Sequence, residues 1–208
     1  MNETRVDNSS PNVDRRQAIL RAAVNVFAEK GYHGCRISDV AQEAGVAYGL
    51  VYHYFRNKEE LLHSVFTDGW SRFASNLTRL VEADLPLREK VGSIVDHCFD
   101  VYRDDPRSMR VMILEVARTP AFRDSAKRNA FEEGIALTAR LLEGARARGE
   151  VRDGIDPWLA AAMLFGAVEV LLTAFVLGTL DFENEADVEK ARKTAVEIFV
   201  GGVGRPGA

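Results

Sequence analysis

The sequence predicts an all-α fold, and two observations support this prediction. Apolar residues recur every three or four positions, as at Ile19, Ala23 and Phe27, which places them on one face of a helix. Proline or a capping side chain stands where helices would begin, and glycine stands where they would end. No stretch of convincing length alternates apolar and polar residues as a half-buried strand does.

The helices can be placed in order from these signals. Gly31, Gly149 and Gly178 are expected to end three of them, because glycine readily adopts the left-handed conformation found after a helix. Asn57 is expected to start a long helix, with Glu60 as its capping partner. The expected helices cover 13–30, 38–44, 48–54, 57–83, 87–102, 106–117, 120–148, 157–178 and 185–200.

Composition and charge limit the class of protein. The 208 residues include 27 Lys or Arg and 31 Asp or Glu, a net charge of −4, with 47% hydrophobic residues. These values exclude a disordered polyelectrolyte and a nucleic-acid coat that binds without regard to sequence. Residues 1–58 hold eight basic and six acidic side chains, and the remaining 150 hold 19 and 25, so the acidity belongs to the later part of the chain.

The cysteines and the N-terminus indicate a cytoplasmic protein. Cys35 and Cys98 are 63 positions apart, and no histidine lies near either one with metal-ligand spacing. We therefore expect free thiols and no metal or other cofactor. Residues 1–12 are polar, lack the apolar core of a signal peptide and are expected to form a flexible arm, as are residues 203–208 at the other end.

One segment has the length and composition of a membrane span. Trp158–Leu180 is 23 residues long and contains one charged residue, Glu169, and about 20 apolar residues suffice to cross a bilayer. Acidic residues flank it, and no Lys/Arg cluster marks a cytoplasmic side. We therefore expect a helix buried in a helical domain, apolar on nearly all sides, and no membrane association.

The strongest local pattern lies between residues 37 and 51. Ala41 is small enough for two helices to cross closely, and Gly45 suits a bend that requires positive φ. Val40, Val46 and Val51 are spaced to pack the second helix onto the first. This pattern predicts a helix-turn-helix, whose second helix enters the DNA major groove. An ordinary helical hairpin within a larger bundle is the alternative.

The second helix of this pair has an unusual composition. Tyr48, Leu50, Tyr52 and His53 do not follow the pattern of a buried helix. Gly49 in a helix interior costs about 1 kcal/mol relative to alanine. A close approach of a phosphate or a base edge to the backbone would explain that glycine.

Three stretches of the chain resemble the DNA-binding domain of the TetR family of transcriptional regulators. They are Ala-Glu-Lys-Gly-Tyr at 28–32, Ile-Ser-Asp-Val-Ala at 37–41 and Ala-Gly-Val-Ala-Tyr-Gly-Leu-Val-Tyr-His-Tyr-Phe-Arg-Asn-Lys-Glu-Glu-Leu-Leu at 44–62. The resemblance implies a three-helix DNA-binding domain at 13–60, joined by a long helix to a helical ligand-binding and dimerisation domain at 61–202.

The resemblance also implies roles for individual residues. Ser38 would touch the DNA backbone, the tip of the recognition helix would face base edges, and Lys58 would reach a phosphate. Arg36 is an added candidate for a phosphate contact, because the family's usual threonine cap is absent at positions 35 and 36. The implied DNA-binding positions are Arg36, Ser38, Ala47, Tyr48, Gly49, Tyr52, His53 and Lys58.

The family's mode of action implies a homodimer. The last two helices, about 157–177 and 185–200, would pack against those of a second copy, and small residues such as Gly166 and Ala195 would permit close approach. A two-fold dimer binds a nearly palindromic double-stranded operator. The resemblance implies that the free dimer blocks transcription, and that a small molecule in the second domain moves the long fourth helix and releases the DNA.

The effector is a further inference from resemblance. Residues 107–122 and Phe-Gly-Ala at 165–167 resemble the fatty-acid-degradation repressor branch, which senses long-chain acyl-CoA. Between Arg103 and Arg128 there are seven basic and four acidic residues, which would suit the phosphates of CoA. The alternatives are a solvated face of mixed charge, and a regulator of efflux that responds to hydrophobic drugs or other metabolites.

Ten residues are candidates for the effector site. The apolar ones are equally expected as ordinary core, and Glu169 is expected as a buried carboxylate with either a structural partner or a ligand. The candidates are Phe99, Tyr102, Arg103, Met109, Arg110, Met112, Phe131, Phe165, Glu169 and Leu172. An enzyme is disfavoured, because no nucleophile, phosphate-loop or metalloprotease motif is present, and a purely helical interaction module would not need the Tyr52 and Lys58 arrangement.

Overall fold

The computed structural model describes residues 11–116 and 125–205, which form helices joined by short connections. No strand occurs in these two ranges, and an isolated bridge pairs Val151 with Gly204. The all-α prediction is confirmed. The helices are α1 (Pro11–Gly34), α2 (Ile37–Glu43), α3 (Tyr48–Tyr54), α4 (Lys58–Glu82), α5 (Leu87–Asp104), α6 (Pro106–Val111), α7 (Ser125–Ala147), α8 (Pro157–Val176) and α9 (Glu185–Val203).

One expected helix differs from the prediction. The segment after Pro106 is α-helical to Val111 and then continues as a π-helical turn over Met112–Val116, instead of one regular helix to residue 117. Such turns are uncommon and often lie at functional sites. Residues 1–10 of the expected arm, residues 206–208 of the expected tail and the expected start of α7 at residue 120 lie outside the described residues. The tail is expected to be flexible from residue 203, but Val203 is buried at the end of α9, Gly204 pairs with Val151, and the Arg205 N–H donates to the Glu150 carbonyl at 2.8 Å.

The chain divides into two units, residues 1–66 and 67–208, so the expected boundary after residue 60 lies within the first unit. In the first unit α2 packs on α3 as the sequence predicts. Val40 and Val51 are fully buried and Ala41 nearly so, while Gly45 has a φ of 64° at the bend between the helices.

The ends of the flanking helices in the first unit are also fixed locally. Gly31 interrupts α1 with a φ of 70°, which matches its expected role as a helix stop. The Glu60 backbone N–H donates to Asn57 Oδ1 at 2.8 Å, so Asn57 caps α4 as expected. The Glu60 carboxylate accepts from the Arg56 N–H at 2.7 Å, one residue earlier than a regular capping box places it.

The second unit has its own apolar core, to which α4, α5, α7, α8 and α9 contribute. At the edge of this core, two arginines form ion pairs that join α5 to α9. Arg88 binds Glu197 through two hydrogen bonds of 2.7 and 3.0 Å. Arg192 reaches Asp96 and Asp100 and lies over the Phe99 ring. These contacts fix the register of α9 on α5.

Helix α8 corrects one expectation. It is long and apolar enough to span a membrane by length and composition, yet only a third of its most apolar window is buried. One face, including Leu164 and Val168, lies in the core, whereas Met163 and Val170 are 72% and 70% exposed. The expectation of burial on nearly all sides is therefore wrong for the single chain, because the helix covers the core with one face and leaves an equally apolar face outside.

The bend at Gly45 yields the first prediction. In a Gly45→Ala substitution the added methyl meets no atom of the described residues within 4 Å, so its cost is that of holding a non-glycine residue at positive φ. We expect the free energy of unfolding of the first unit to fall by about 1–2 kcal/mol, measured by urea unfolding with a helical signal. Gly34→Ala is the matched control, because Gly34 is exposed in the same unit, lacks a positive φ and has ordinary space for a methyl, with Lys30 Cβ at 4.0 Å. It should be neutral or stabilising, and equal losses in both variants would contradict the account.

Candidate DNA-binding surface and effector interior

The helix α3 displays two tyrosines on the surface of the first unit. Tyr48 and Tyr52 are 54% and 43% exposed, and their phenol oxygens lie 3.2 Å apart in a hydrogen bond. This hydrogen bond raises the pKa of Tyr52. Large aromatic side chains that could have packed inward are thus held together at the surface of a helix whose opposite side is filled by Val51.

Gly49 lies between these tyrosines on the exposed surface of α3. Outside the backbone of α3 itself, none of the described residues comes within 4 Å of the position that a Cβ atom would occupy there. Internal packing therefore does not require a glycine, although glycine weakens the helix. Close approach of an external partner to the backbone would account for it.

The remaining predicted DNA contacts surround α3 and the start of α2. Arg36, Ser38, Ala47 and His53 are all exposed. Arg36 immediately precedes α2, and its backbone N–H donates to Asp39 Oδ2 at 2.8 Å. This hydrogen bond, assisted by Lys30, lowers the pKa of Asp39. The carboxylate thus secures the start of a helix that lacks the hydroxyl cap expected of the family.

Lys58 occupies a different environment from the other predicted contacts. It is half-buried at the first position of α4. Its ammonium donates to the carbonyls of Tyr32 and Cys35 at 2.6 and 2.9 Å and lies 4.5 Å from the centre of the Tyr32 ring. The structure therefore gives Lys58 an internal role, and its contact with phosphate stays a prediction.

The predicted effector residues separate into two groups in the second unit. Phe99 and Tyr102 are buried in an aromatic cluster with Phe175 and Phe182, which the sequence did not single out. Phe165 instead packs against α4, where it contacts Trp70 and Phe73. Leu172 is also in the core. The fold brings all four residues into one apolar core, but Phe165 belongs to a different group of aromatic rings from Phe99 and Tyr102.

The charged and flexible candidates lie elsewhere. Arg103 and Arg110 are exposed, and Met109 and Met112 are half-buried near the π-helical turn. Glu169 is exposed on α8, so the expectation of a buried carboxylate is wrong: a charge on this helix remains in solvent. The Phe131 side chain lies outside the described residues.

Two buried polar groups were missed by sequence reasoning. His97 stacks on Phe73 with ring centres 5.6 Å apart, and burial lowers its pKa, aided by Arg79 and opposed by Asp100. Its Nε2 atom and the Thr138 hydroxyl are shielded from solvent and have no hydrogen-bond partner among the described residues. An unsatisfied buried polar group costs about 1–3 kcal/mol, so both would gain from a bound polar ligand.

Thr138 lies one helical turn after Gly134 on α7, where the Trp70 ring packs directly against the helix backbone. Trp70 also contacts Phe73, whose ring stacks on that of His97. His97 therefore borders one aromatic cluster, formed by Trp70, Phe73 and Phe165 where α4, α5, α7 and α8 meet, and Thr138 lies one turn along α7 from the Gly134 position against which Trp70 packs. No sequence motif marks this arrangement, because its members are far apart in the chain.

A helix-turn-helix with a packed interior and an exposed second helix is typical of a DNA-binding regulator, and comparison with known proteins agrees. Residues 19–65 match the family model for bacterial regulatory proteins of the TetR family. Residues 86–177 match the tetracyclin repressor-like C-terminal domain.

Individual relatives extend the match to nearly the whole chain. The fatty acid metabolism regulator protein of Bacillus subtilis (strain 168) is 30% identical over 89% of this chain and 93% of its own length. The regulator CymR of Pseudomonas putida is 27% identical over 86% of each. The chain belongs to the TetR family of ligand-responsive transcriptional regulators.

Solved structures give the same result. The fatty acid degradation regulator FadR from Bacillus halodurans superposes with a TM-score of 0.82 at 27% identity, covering 94% of this chain and 98% of that one. FadR from Bacillus subtilis in complex with stearoyl-CoA gives 0.77 at 27% identity, covering 89% and 98%. The resemblance read from the sequence is confirmed, and the family consists of regulators, not enzymes.

The exposed glycine of α3 yields the second prediction. Gly49→Ala should leave the free protein as stable as before or more stable, since alanine is the better helix former by about 1 kcal/mol. It should weaken binding to a duplex that the wild-type protein itself selects by about tenfold, because the added methyl would meet the DNA. Fluorescence anisotropy measures the affinity, and thermal unfolding measures the stability.

Gly69→Ala is the control for DNA binding, because it makes the same chemical change on an exposed part of α4. Tyr52→Ala, which removes the partner of Tyr48, should also lose binding without unfolding the protein. Wild-type affinity in both Gly49→Ala and Tyr52→Ala would contradict the assignment of α3 as the recognition helix.

Proposed function

We propose that the protein is a homodimeric repressor that binds a palindromic operator and is released by long-chain acyl-CoA. The observation that carries the DNA-binding part is the exposed Tyr48–Tyr52 pair, held by its own hydrogen bond on a helix whose inner side is fully packed. The net charge of residues 1–58 is only +2. Such a domain gains little from bulk electrostatics and depends on a few placed contacts.

The dimer is supported by the outer surface of α8 and α9. The large apolar side chains exposed there form a surface that is costly to leave in water. An open groove of about 920 Å³ runs between the two helices and includes Met163, Val170 and Ile198 in its lining. The exposed apolar residues of this surface are Trp158, Leu159, Met163, Val170, Leu177 and Ile198.

A second copy of the chain is the occupant that this surface fits. Small residues, including Gly166 and Ala167, line the groove, so a helix from another chain can approach closely. An isologous contact pairs the same apolar surface on both subunits and covers both. It would also place two recognition helices about a two-fold axis, as a palindromic site requires.

The dimer proposal gives the third prediction. Met163→Glu places a charge on the exposed face of α8 without altering the core, so the chain should fold but become monomeric at micromolar concentration, with operator affinity lowered at least a hundredfold. Analytical ultracentrifugation measures the mass and circular dichroism the fold. Met163→Leu is the matched control and should stay dimeric. A Met163→Glu protein that sediments as a dimer would exclude this interface.

The effector part of the proposal is supported by the interior of the second unit. The aromatic cluster of α4, α5, α7 and α8 supplies an apolar environment, and the neutral form of His97, favoured by burial, keeps a polar nitrogen inside it. A long acyl chain would contact the rings, and its thioester carbonyl would accept a hydrogen bond from His97 or Thr138. The relative crystallised with stearoyl-CoA shares the fold.

Exposed arginines are available for the charged part of such a molecule. Arg103 and Arg110 lie on the surface at the end of α5 and on α6. Arg103 already has partners within the chain, since its guanidinium lies 3.9 Å from the Asp100 carboxylate and over the Phe182 ring. Among the other basic residues between Arg103 and Arg128, Arg107 is exposed on α6. The remaining side chains lie outside the described residues and are those of Arg118, Arg123, Lys127 and Arg128.

A drug-responsive regulator of efflux is the second candidate. SmeT, the repressor of a multidrug efflux pump of Stenotrophomonas maltophilia, shares the fold at 24% identity with a TM-score of 0.75. This likeness shows the fold alone. Dependence on acyl chain length therefore decides between the two effectors.

The fourth prediction concerns release of DNA. Stearoyl-CoA should displace the operator duplex at micromolar concentration, and each shortening of the chain by two carbons should raise the required concentration roughly tenfold, since each buried methylene contributes about 0.8 kcal/mol. Free CoA and free stearate should be weak. Fluorescence anisotropy with the labelled duplex measures release.

His97→Phe tests the site within the same assay. It keeps the ring stack on Phe73 but removes the polar nitrogen, so the concentration of stearoyl-CoA for half release should rise about tenfold while operator affinity stays unchanged. Release that is indifferent to chain length, together with release by unrelated hydrophobic cations, would contradict the acyl-CoA proposal and favour the efflux regulator.

A further inference from the structure

Lys58 joins three parts of the first unit at one point. It is the first residue of α4, yet its ammonium reaches the carbonyl of Tyr32, just beyond the break in α1 at Gly31. It also reaches the carbonyl of Cys35, two residues before the start of α2 at Ile37. One side chain therefore ties both sides of the α1–α2 connection to the beginning of α4.

The local chemistry makes this tie strong. Both carbonyls accept a charge-assisted hydrogen bond from the ammonium, and such bonds are about twice as strong as neutral ones. The Tyr32 ring lies beneath the same charge at 4.5 Å and adds a cation–π contact. Lys58 is half-buried, so water competes only partly for its donors.

The position of α2 depends on this connection. Only Arg36 separates Cys35 from α2, and that end of the helix is also held by the buried Ile37 and by the Asp39 carboxylate, which is paired with Lys30 at 3.2 Å. Because α2 supports α3 through the contact of Ala41 with the second helix, a shift of the connection would move the recognition helix.

We propose that Lys58 is a positioning residue for operator binding, which sets the placement of α2 and α3 through the Tyr32 and Cys35 carbonyls. A phosphate contact is the competing role. An ammonium has three donors, and two of them are used inside the unit. The inference builds on the proposed operator binding, but its first readout is made on the protein without DNA.

Lys58→Met tests the proposal, with Arg21→Met as the matched control, since Arg21 is an exposed basic residue of α1 outside the predicted DNA contacts. In the free dimer, hydrogen exchange at the amides of Val40 and Ala44, both bonded within or beside α2, should speed up at least tenfold in Lys58→Met only. Exchange in α8 and α9 should not change.

Binding of the selected duplex is then measured between 50 and 200 mM salt, values chosen to give a steep dependence. Lys58→Met should bind at least tenfold more weakly, with the same slope of log affinity against log salt concentration as Arg21→Met. Unchanged exchange together with a slope flatter by about 0.9, the value for one lost phosphate contact, overturns the proposal.

A second pair of variants keeps every charge and guards against misfolding of Lys58→Met. Tyr32→Leu removes the ring beneath the ammonium, and Tyr32→Phe keeps it. A positioning role predicts faster exchange at Val40 and weaker DNA binding in Tyr32→Leu than in Tyr32→Phe. Equal behaviour of the two contradicts it. If the protein selects no duplex at all, the proposed function fails, while the exchange results still decide the role of Lys58.

Discussion

The close packing of α2 on α3 is the constraint on which the DNA-binding surface depends. It requires a small residue at Ala41, a buried Val51 and a positive φ at Gly45, and the structure shows all three. Once the inner side of α3 is filled in this way, Tyr48 and Tyr52 have no place in the core. Their exposure is therefore a consequence of the packing, and the recognition surface is built by the same residues that stabilise the unit.

The second unit satisfies its core while leaving apolar surface outside. Helix α8 contributes Leu164 and Val168 to that core and exposes Met163 and Val170. An exposed apolar face is costly to leave in water, and in the proposed dimer a second copy of the chain would cover it. The same partner would supply the second recognition helix, so in the proposed dimer one surface would serve both stability and site recognition.

Much of the fold could be predicted because its signals are local. Gly31, Gly45 and Asn57 fix helix ends through their own backbone and capping preferences, and the spacing of Ala41 and Val51 fixes a crossing. The polar pair of His97 and Thr138 could not be found, since 41 positions separate them and only the packing of four helices brings both near one aromatic cluster. The prediction that Glu169 is buried was wrong for a related reason, because an apolar run does not reveal which face of the helix is covered.

If a symmetric dimer reads DNA through α3, the purified protein should select a defined site from a pool of random duplexes. We expect enrichment of an inverted repeat whose half-sites are separated by about one helical turn, 10–10.5 base pairs, or a multiple of it. Enrichment of a single, non-repeated motif, or no enrichment above a non-specific background, would contradict it.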